Sequence, residues 1–126
     1  MGMTKSYSKD IQLLLKISEH QYKITKVLKD FKCTEKDLDT NTYAFDLCAL
    51  YMSQIDEASK YLTDETRQSF NYFDPSVTSY FRNMIDHIYE KVNKKYLKAY
   101  IFHMVKEETK KEVISRINFC REHVEG

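Results

Sequence analysis

The stretch Ile11-Gln12-Leu13-Leu14-Leu15-Lys16-Ile17-Ser18-Glu19-His20-Gln21-Tyr22 opens a segment that reaches Asp30 without a Gly or Pro. Apolar residues recur there three and four positions apart, which is the period of an amphipathic helix. The inward stripe predicted from this period is Ile11, Leu14, Leu15, Ser18, Tyr22, Thr25 and Leu28, and Ile17, Ile24, Val27 and Phe31 widen it. So wide a stripe predicts a helix from Lys5 or Ser8 to Asp30 that packs against more than one neighbour.

The rest of the chain predicts three more long helices and one short one. A helix over about 40–62 follows a polar linker in which Thr34 or Asp39 is the candidate N-cap. Residues 63–66 cap a short helix that ends near residue 70, and Pro75, with Asp74 as N-cap, opens the third long helix. The last helix is expected as one piece over 96–123. The other inward positions predicted are Tyr43, Leu47, Leu50, Tyr51, Gln54, Ile55, Ala58, Leu62, Val77, Phe81, Met84, Ile85, Ile88, Val92, Leu97, Tyr100, Ile101, Met104, Val113, Ile114, Ile117 and Cys120.

The composition agrees with an all-helical chain. Two Gly and one Pro in 126 residues are too few for β-sandwiches, barrels or Gly-rich phosphate loops. Long helices joined by short connections predict an all-α, antiparallel four-helix bundle. At this length the chain is expected to be a single domain over 1–126.

Charge is unevenly distributed along the chain, although the net charge is only +1. Residues 30–65 carry nine acidic and three basic side chains, and residues 91–116 carry eight basic and three acidic ones. The near-neutral total supplies no general attraction to nucleic acid or to anionic membranes. The basic stretch is a candidate contact for RNA phosphates, and a solvated helix face is an equally good interpretation of any single Lys.

Cysteines and terminal signals indicate a cytoplasmic protein. Three cysteines without close spacing argue against a disulfide framework and against a zinc site. No apolar run reaches the length of a transmembrane helix, and the N-terminus lacks the apolar core of a signal peptide. Residues 1–6 match a myristoylation pattern, but a native start at Met3 after two added residues is the preferred interpretation.

The residues that point to chemistry are in Arg82-Asn83-Met84-Ile85-Asp86-His87-Ile88-Tyr89. Arg offers a fixed cationic fork for phosphate oxygens, and His exchanges a proton near neutral pH. A chain of this composition matches the spacing by accident in roughly one case in a hundred. His20-Gln21-Tyr22 repeats only the last part, because Leu15 stands where the Arg is needed.

This motif resembles that of the HepT-like HEPN domains, small helical proteins encoded beside a minimal nucleotidyltransferase as toxin and antitoxin. The family's motif is Arg, four to six residues, His, any residue and Tyr, often with Asn after the Arg, in the third long helix. The stretch 55–62, Ile-Asp-Glu-Ala-Ser-Lys-Tyr-Leu, is also similar to a second-helix pattern of the family, with Asp56 in place of a usual Gly. The resemblance covers nearly the whole chain in length and helix order.

The resemblance implies a homodimeric endoribonuclease that uses neither a metal nor another cofactor, with Arg82 and His87 as catalytic residues. It also implies that the partner nucleotidyltransferase neutralises the toxin by attaching AMP to Tyr89. The expected partners are therefore RNA, the antitoxin and a second copy of the chain, and neither membrane nor DNA. An alternative function is that of a non-catalytic helical subunit that binds a nucleotidyltransferase or its substrate.

Helix geometry leaves two arrangements of this site open. At ~100° per residue, Arg82 and Tyr89 lie within ~20° of each other around the helix axis, whereas His87 lies ~140° from Arg82. Either the helix loosens before Asn93, or Arg82 of one protomer works with His87 of the other. Asp86 is placed to pair with Arg82 four residues earlier, and Asn83 is a candidate for a sugar or phosphate contact.

Overall fold

The computed structural model describes residues 2–34, 38, 41–73 and 94–124 of the chain. These residues form five helices and no strand: α1 (Gly2–Asp30), α2 (Thr42–Lys60), α3 (Asp64–Gln68), α4 (Lys94–Met104) and α5 (Glu107–Val124). The predicted all-α bundle is confirmed. The third long helix, expected after Pro75 with Asp74 as its cap, falls outside the described residues.

Helix α1 packs antiparallel against α2. His20 meets Tyr51 with ring centroids 5.9 Å apart, and Phe31, just after α1, meets Tyr43 at 5.5 Å. Later positions near α1 thus meet earlier positions on α2. On its other side α1 contacts α5, and Tyr7 lies edge-to-face at 5.9 Å from a ring of that helix. One helix with two neighbours explains why its apolar stripe is wide.

The core side of α1 is only part of the predicted stripe. Leu14, Ile17 and Ile24 are fully buried, whereas Leu15 is 39% exposed and Tyr22 is 68% exposed. The inward prediction for Leu15 and Tyr22 was therefore wrong, as was that for the exposed Phe31. The reason is that α2 and α5 pack on the side of α1 that carries Ile17 and Ile24. Leu15 and Tyr22 lie on roughly the opposite side of the helix.

The core side of α2 is also rotated from the predicted one. Tyr43 is 64% exposed and Leu50 54% exposed, so both inward predictions were wrong, while Cys48 and Met52 are buried. The side of α2 that is buried carries mostly small residues, which allow a close approach of neighbouring helices. They are Ala44, Cys48, Ala49, Ala58 and Ser59.

Capping side chains set where the two middle helices begin. The Asn41 side chain accepts a 3.0 Å hydrogen bond from the N–H of Ala44, so Asn41 rather than Thr34 caps α2. Asp39, the other predicted cap, lies outside the described residues. The predicted cap of α3 is confirmed, since the Thr63 hydroxyl accepts from the N–H of Thr66 at 3.3 Å.

The prediction of one helix over 96–123 was wrong, because the chain breaks between α4 and α5. The C=O of Met104 accepts a 3.0 Å hydrogen bond from the Gln21 side chain, and the C=O of His103 accepts one of 2.9 Å from the Thr109 hydroxyl. Both carbonyls thus accept hydrogen bonds from side chains, which can take the place of the backbone N–H donors of a continuous helix. The break therefore coincides with two side-chain hydrogen bonds, one across the bundle and one local, and it contains no Gly or Pro.

Most inward positions predicted for this last segment are buried as expected. These are Leu97, Ile101, Met104, Val113, Ile117 and Cys120. Ile114 is 47% exposed, so its inward prediction was wrong. Among the described helices, none combines the length and the apolar character that crossing a membrane requires.

Candidate functional site

The residues of the predicted catalytic site lie outside the described part of the chain. They are Arg82, Asn83, Asp86, His87 and Tyr89. Their roles and their mutual placement therefore stay predictions. The structure does describe the loop that leads to them, which runs to Phe73, and the helix that follows them, α4.

The loop before the motif is held by a carboxylate. One oxygen of Glu112 on α5 accepts from the N–H of Asn71 at 2.5 Å. The other accepts from the N–H groups of Tyr72 and Phe73 at 2.8 and 2.9 Å. Three successive N–H groups thus converge on one anion, and hydrogen bonds to a charged acceptor are among the stronger ones. The backbone of residues 71–73, which precedes the motif in sequence, is therefore bound to α5.

Two further contacts fix the same loop. Nε2 of His103 on α4 lies 2.8 Å from the C=O of Tyr72, and because a carbonyl only accepts, this bond requires the proton on Nε2. Phe73 is 2% exposed and packs edge-to-face on Phe70 with ring centroids 5.0 Å apart. Both α4 and α5, which follow the motif in sequence, thus hold the loop that precedes it.

A buried polar cluster surrounds the start of α3. Asp10 on α1 is fully buried. Its carboxylate accepts from the N–H of Thr63 at 3.0 Å and from the hydroxyls of Thr63 and Thr66 at 2.6 Å each. A buried carboxylate is tolerated when such donors replace water. Asp10 therefore binds the start of α3 to α1.

Arg116 on α5 extends the cluster. Its Nε donates to the Thr66 hydroxyl at 3.1 Å, and its Nη2 lies 3.6 Å from a carboxylate oxygen of Glu65. That Nη2 is buried and has no hydrogen-bond partner in the described ranges. Tyr7 donates to Glu65 at 2.8 Å, and this hydrogen bond, with burial, raises the pKa of Tyr7. The cluster thus joins α1, α3 and α5.

A groove of about 390 Å³ opens between α5 and the end of α3. The groove is lined by Ser69, Phe70, Lys111, Glu112, Ser115, Arg116 and Phe119. Lys111 is exposed, and no acidic side chain in the described ranges pairs with it. The guanidinium carbon of Arg116 lies 4.3 Å from the ring centroid of Phe119, a cation–π contact that fixes its plane. We call this feature the α5 groove.

All three cysteines lie in the buried core. Cys33, Cys48 and Cys120 are buried and unbridged. Burial raises the pKa of Cys48 to about 12, with a smaller contribution from Cys33, and burial also raises that of Cys120. Protonated, buried thiols are poor nucleophiles and poor metal ligands. Within the described residues, no three His, Cys, Asp or Glu side chains are arranged to hold a metal ion.

Sequence reasoning placed Lys111 and Arg116 in the basic stretch but missed the burial of Arg116 and the role of Glu112. A signal for Arg116 was present, because it stands at core spacing with Val113, Ile117 and Cys120 and is 9% exposed. An Arg inside an apolar stripe indicates a buried partner. Nothing local marks Glu112, because its partners are backbone groups some forty residues earlier.

Comparison with known protein families, with characterised proteins and with solved structures finds no match to this chain. The resemblance to HepT-like HEPN domains accordingly rests on Arg82, His87 and Tyr89 and on the 55–62 stretch. Within that stretch Asp56 is 3% exposed. A position that is small in the family pattern therefore holds a buried carboxylate here.

Proposed function

We propose that the chain is a ribonuclease toxin of the HepT-like HEPN kind, active as a homodimer and neutralised by AMP attachment to Tyr89. The observation that carries the proposal is the Arg82-x4-His87-x-Tyr89 spacing, in a stretch whose apolar residues keep a helical period. The all-α bundle is compatible with it. The hydrogen bonds from the 71–73 backbone to Glu112 support it as well. They hold the loop just before the motif, and a precisely placed site needs rigid flanking structure.

The proposed reaction needs a base, an acid and a cationic clamp. The base takes the proton of an RNA 2′-hydroxyl, and the 2′-oxygen forms a bond to the adjacent phosphorus. The bond from phosphorus to the 5′-oxygen breaks, and the acid protonates that leaving oxygen. His87 serves as base or acid, while Arg82 stabilises the charge on the non-bridging oxygens. The products are a 2′,3′-cyclic phosphate and a 5′-hydroxyl.

A dimer supplies what one chain lacks. Each copy carries one His in the motif, whereas the reaction uses two proton-transfer groups. The ~140° between Arg82 and His87 on a regular helix also directs the two side chains apart. The angular difficulty is resolved when Arg82 of one protomer and His87 of the other meet at a shared groove, with water as the second proton-transfer group.

Modification of Tyr89 gives a simple route to inhibition. Tyr89 lies seven residues after Arg82, on the same side of a regular helix. An adenylyl group on the phenol oxygen adds a negative phosphodiester and a bulky base at that position. Both repel or exclude an RNA strand. This role requires Tyr89 to be accessible and does not require it to be catalytic.

The test is cleavage of RNA by the purified chain in EDTA. Because a general acid or base and a group that stabilises transition-state charge each contribute about 10²-fold or more to rate, His87→Ala and Arg82→Ala are each expected to lower cleavage by at least about that factor. The matched control is Arg121→Ala, an exposed Arg near the end of α5 and outside the motif. Parental activity in both motif variants, with the fold intact, contradicts the proposal.

A second candidate is a non-catalytic subunit that binds a nucleotidyltransferase. It is favoured by the outer side of α2, where Tyr43, Leu50 and Tyr61 are exposed by 64, 54 and 48% within the acidic stretch. This candidate predicts a stable complex with the transferase, disrupted by Leu50→Asp, and no RNA cleavage by the isolated chain. Mass spectrometry of the Tyr89 peptide after co-expression separates the two, because added AMP favours the toxin.

A further inference from the structure

We infer that the α5 groove binds a phosphate and an adjoining base of single-stranded RNA, as a substrate subsite separate from the proposed catalytic residues. The identity of the ligand as RNA rests on the proposed function. The site itself rests on the charges, hydroxyls and rings that line the groove.

Within the described residues, the groove presents one exposed and unpaired cation beside a carboxylate that is already hydrogen-bonded. Lys111 is exposed at its edge, and Arg116 forms part of its wall with only 9% of its surface exposed. The Glu112 carboxylate accepts three backbone N–H groups, which occupy its oxygens without neutralising its charge. The Nη2 of Arg116 is buried and lies 3.6 Å from Glu65, so the charge of Arg116 is already partly compensated. Lys111 is therefore the cation in the groove that an anion from solvent can reach.

The lining also offers a hydroxyl and a ring. Ser115 is exposed one turn after Lys111, on the same side of α5. The two rings of the groove differ in availability. His123 stacks on Phe119 at 3.9 Å and the Arg116 guanidinium lies at 4.3 Å, so these groups cover Phe119. Phe70 is half-buried and contacts Phe73 edge-to-face, so part of its ring stays accessible to a base.

This combination favours RNA over an acidic protein segment. A cation, a hydroxyl and an aromatic ring in one groove form the usual contact set for single-stranded nucleic acid, in which phosphates pair with cations and bases stack. An acidic side chain would pair with the Lys and leave the ring without a stacked partner. The groove is also close in sequence to the motif, because the loop at its wall reaches Arg82 nine residues after Phe73.

The experiment measures binding of a short, fluorescent 2′-O-methyl RNA, which lacks the attacking hydroxyl, to the full chain at several salt concentrations. Lys111→Glu is expected to weaken binding about fivefold or more and to lower the salt slope by about 0.7, the value for one phosphate contact on a single strand. Phe70→Leu is expected to weaken binding about fivefold, as loss of one stacked base does. The control is Lys16→Glu, an exposed Lys on α1 whose reversal changes net charge equally.

Equal effects of Lys111→Glu and Lys16→Glu, or no RNA binding by the parent chain, overturn the inference. So does a Lys111→Glu variant that binds RNA normally and loses an acidic protein partner instead. The proposed function fails differently. RNA cleavage that is independent of Lys111 and Phe70 contradicts only the subsite, and groove-dependent binding without any cleavage contradicts only the nuclease.

Discussion

Glu112 on α5 accepts a 2.9 Å hydrogen bond from the N–H of Phe73, 39 residues earlier in the chain. Phe73 is the last described residue before the segment that carries the motif, and Glu112 belongs to the helix after it. The two sides of the proposed catalytic segment are thus joined by one carboxylate. Loss of this carboxylate is expected to affect both stability and any activity of the motif.

Glu112→Gln is expected to lower the free energy of unfolding by about 1–3 kcal/mol, because the amide has one acceptor oxygen for three N–H groups. Urea unfolding measures the loss, and hydrogen exchange of the Asn71, Tyr72 and Phe73 amides is expected to quicken. The control is Glu108→Gln, an exposed residue one turn earlier. Unchanged exchange at these amides contradicts the assigned role of Glu112.

Removal of the Asp10 carboxylate tests the buried cluster. Asp10→Ala deprives the Thr63 N–H and two hydroxyls of their acceptor and leaves the nearby Arg116 cation less compensated. The expected loss is about 3 kcal/mol or more, a large part of the stability of a small domain. The measurement is chemical denaturation beside Asp46→Ala, whose carboxylate is exposed on α2. Similar losses in the two variants contradict a structural role for the cluster.

Stability is expected to fall in alkali because of Cys48. Its pKa is raised from 9.0 to about 12 by burial, so between these values the unfolded chain loses the thiol proton while the folded chain keeps it. The free energy of unfolding therefore decreases as pH rises, by up to about 1.4 kcal/mol per pH unit from this group. Cys48→Ala removes that contribution. The difference in free energy of unfolding between the parent and this variant is therefore expected to shrink as pH rises from 9 to 12. Parallel curves rule the contribution out.

The sequence predicted the helices better than it predicted which sides of them are buried. Apolar period and the absence of Gly and Pro were sufficient for α1 and α2, and the Thr63 cap was read correctly. Tyr22 and Leu50 were placed inward because their period is right, but burial depends on where neighbours lie. Small residues such as Ala49 and Ser59, which carry little weight in an apolar count, line the buried side of α2.

Features made by distant partners were not predictable from local sequence. The break after Met104 depends on a side chain of α1, Gln21, that reaches its carbonyl. The loop at Phe73 depends on Glu112, and the burial of Arg116 depends on Thr66 across 50 residues. Local patterns specify an element and its period, whereas these contacts appear only when helices are assembled. The α5 groove belongs to this second class.

A mixing experiment tests whether the proposed catalytic site is shared between protomers. Arg82→Ala and His87→Ala homodimers are each expected to be inactive. When the two are unfolded together and refolded, about half of the dimers are mixed, and each mixed dimer has one site with both residues intact. A shared site therefore restores about one quarter of parental cleavage, whereas a site within one protomer restores none.

The control mixes the parent with a double variant that carries both Arg82→Ala and His87→Ala. In these mixed dimers no site shared between protomers has both residues, but one protomer keeps both. If that pair recovers cleavage through its mixed dimers and the two single variants do not, Arg82 and His87 act within one chain.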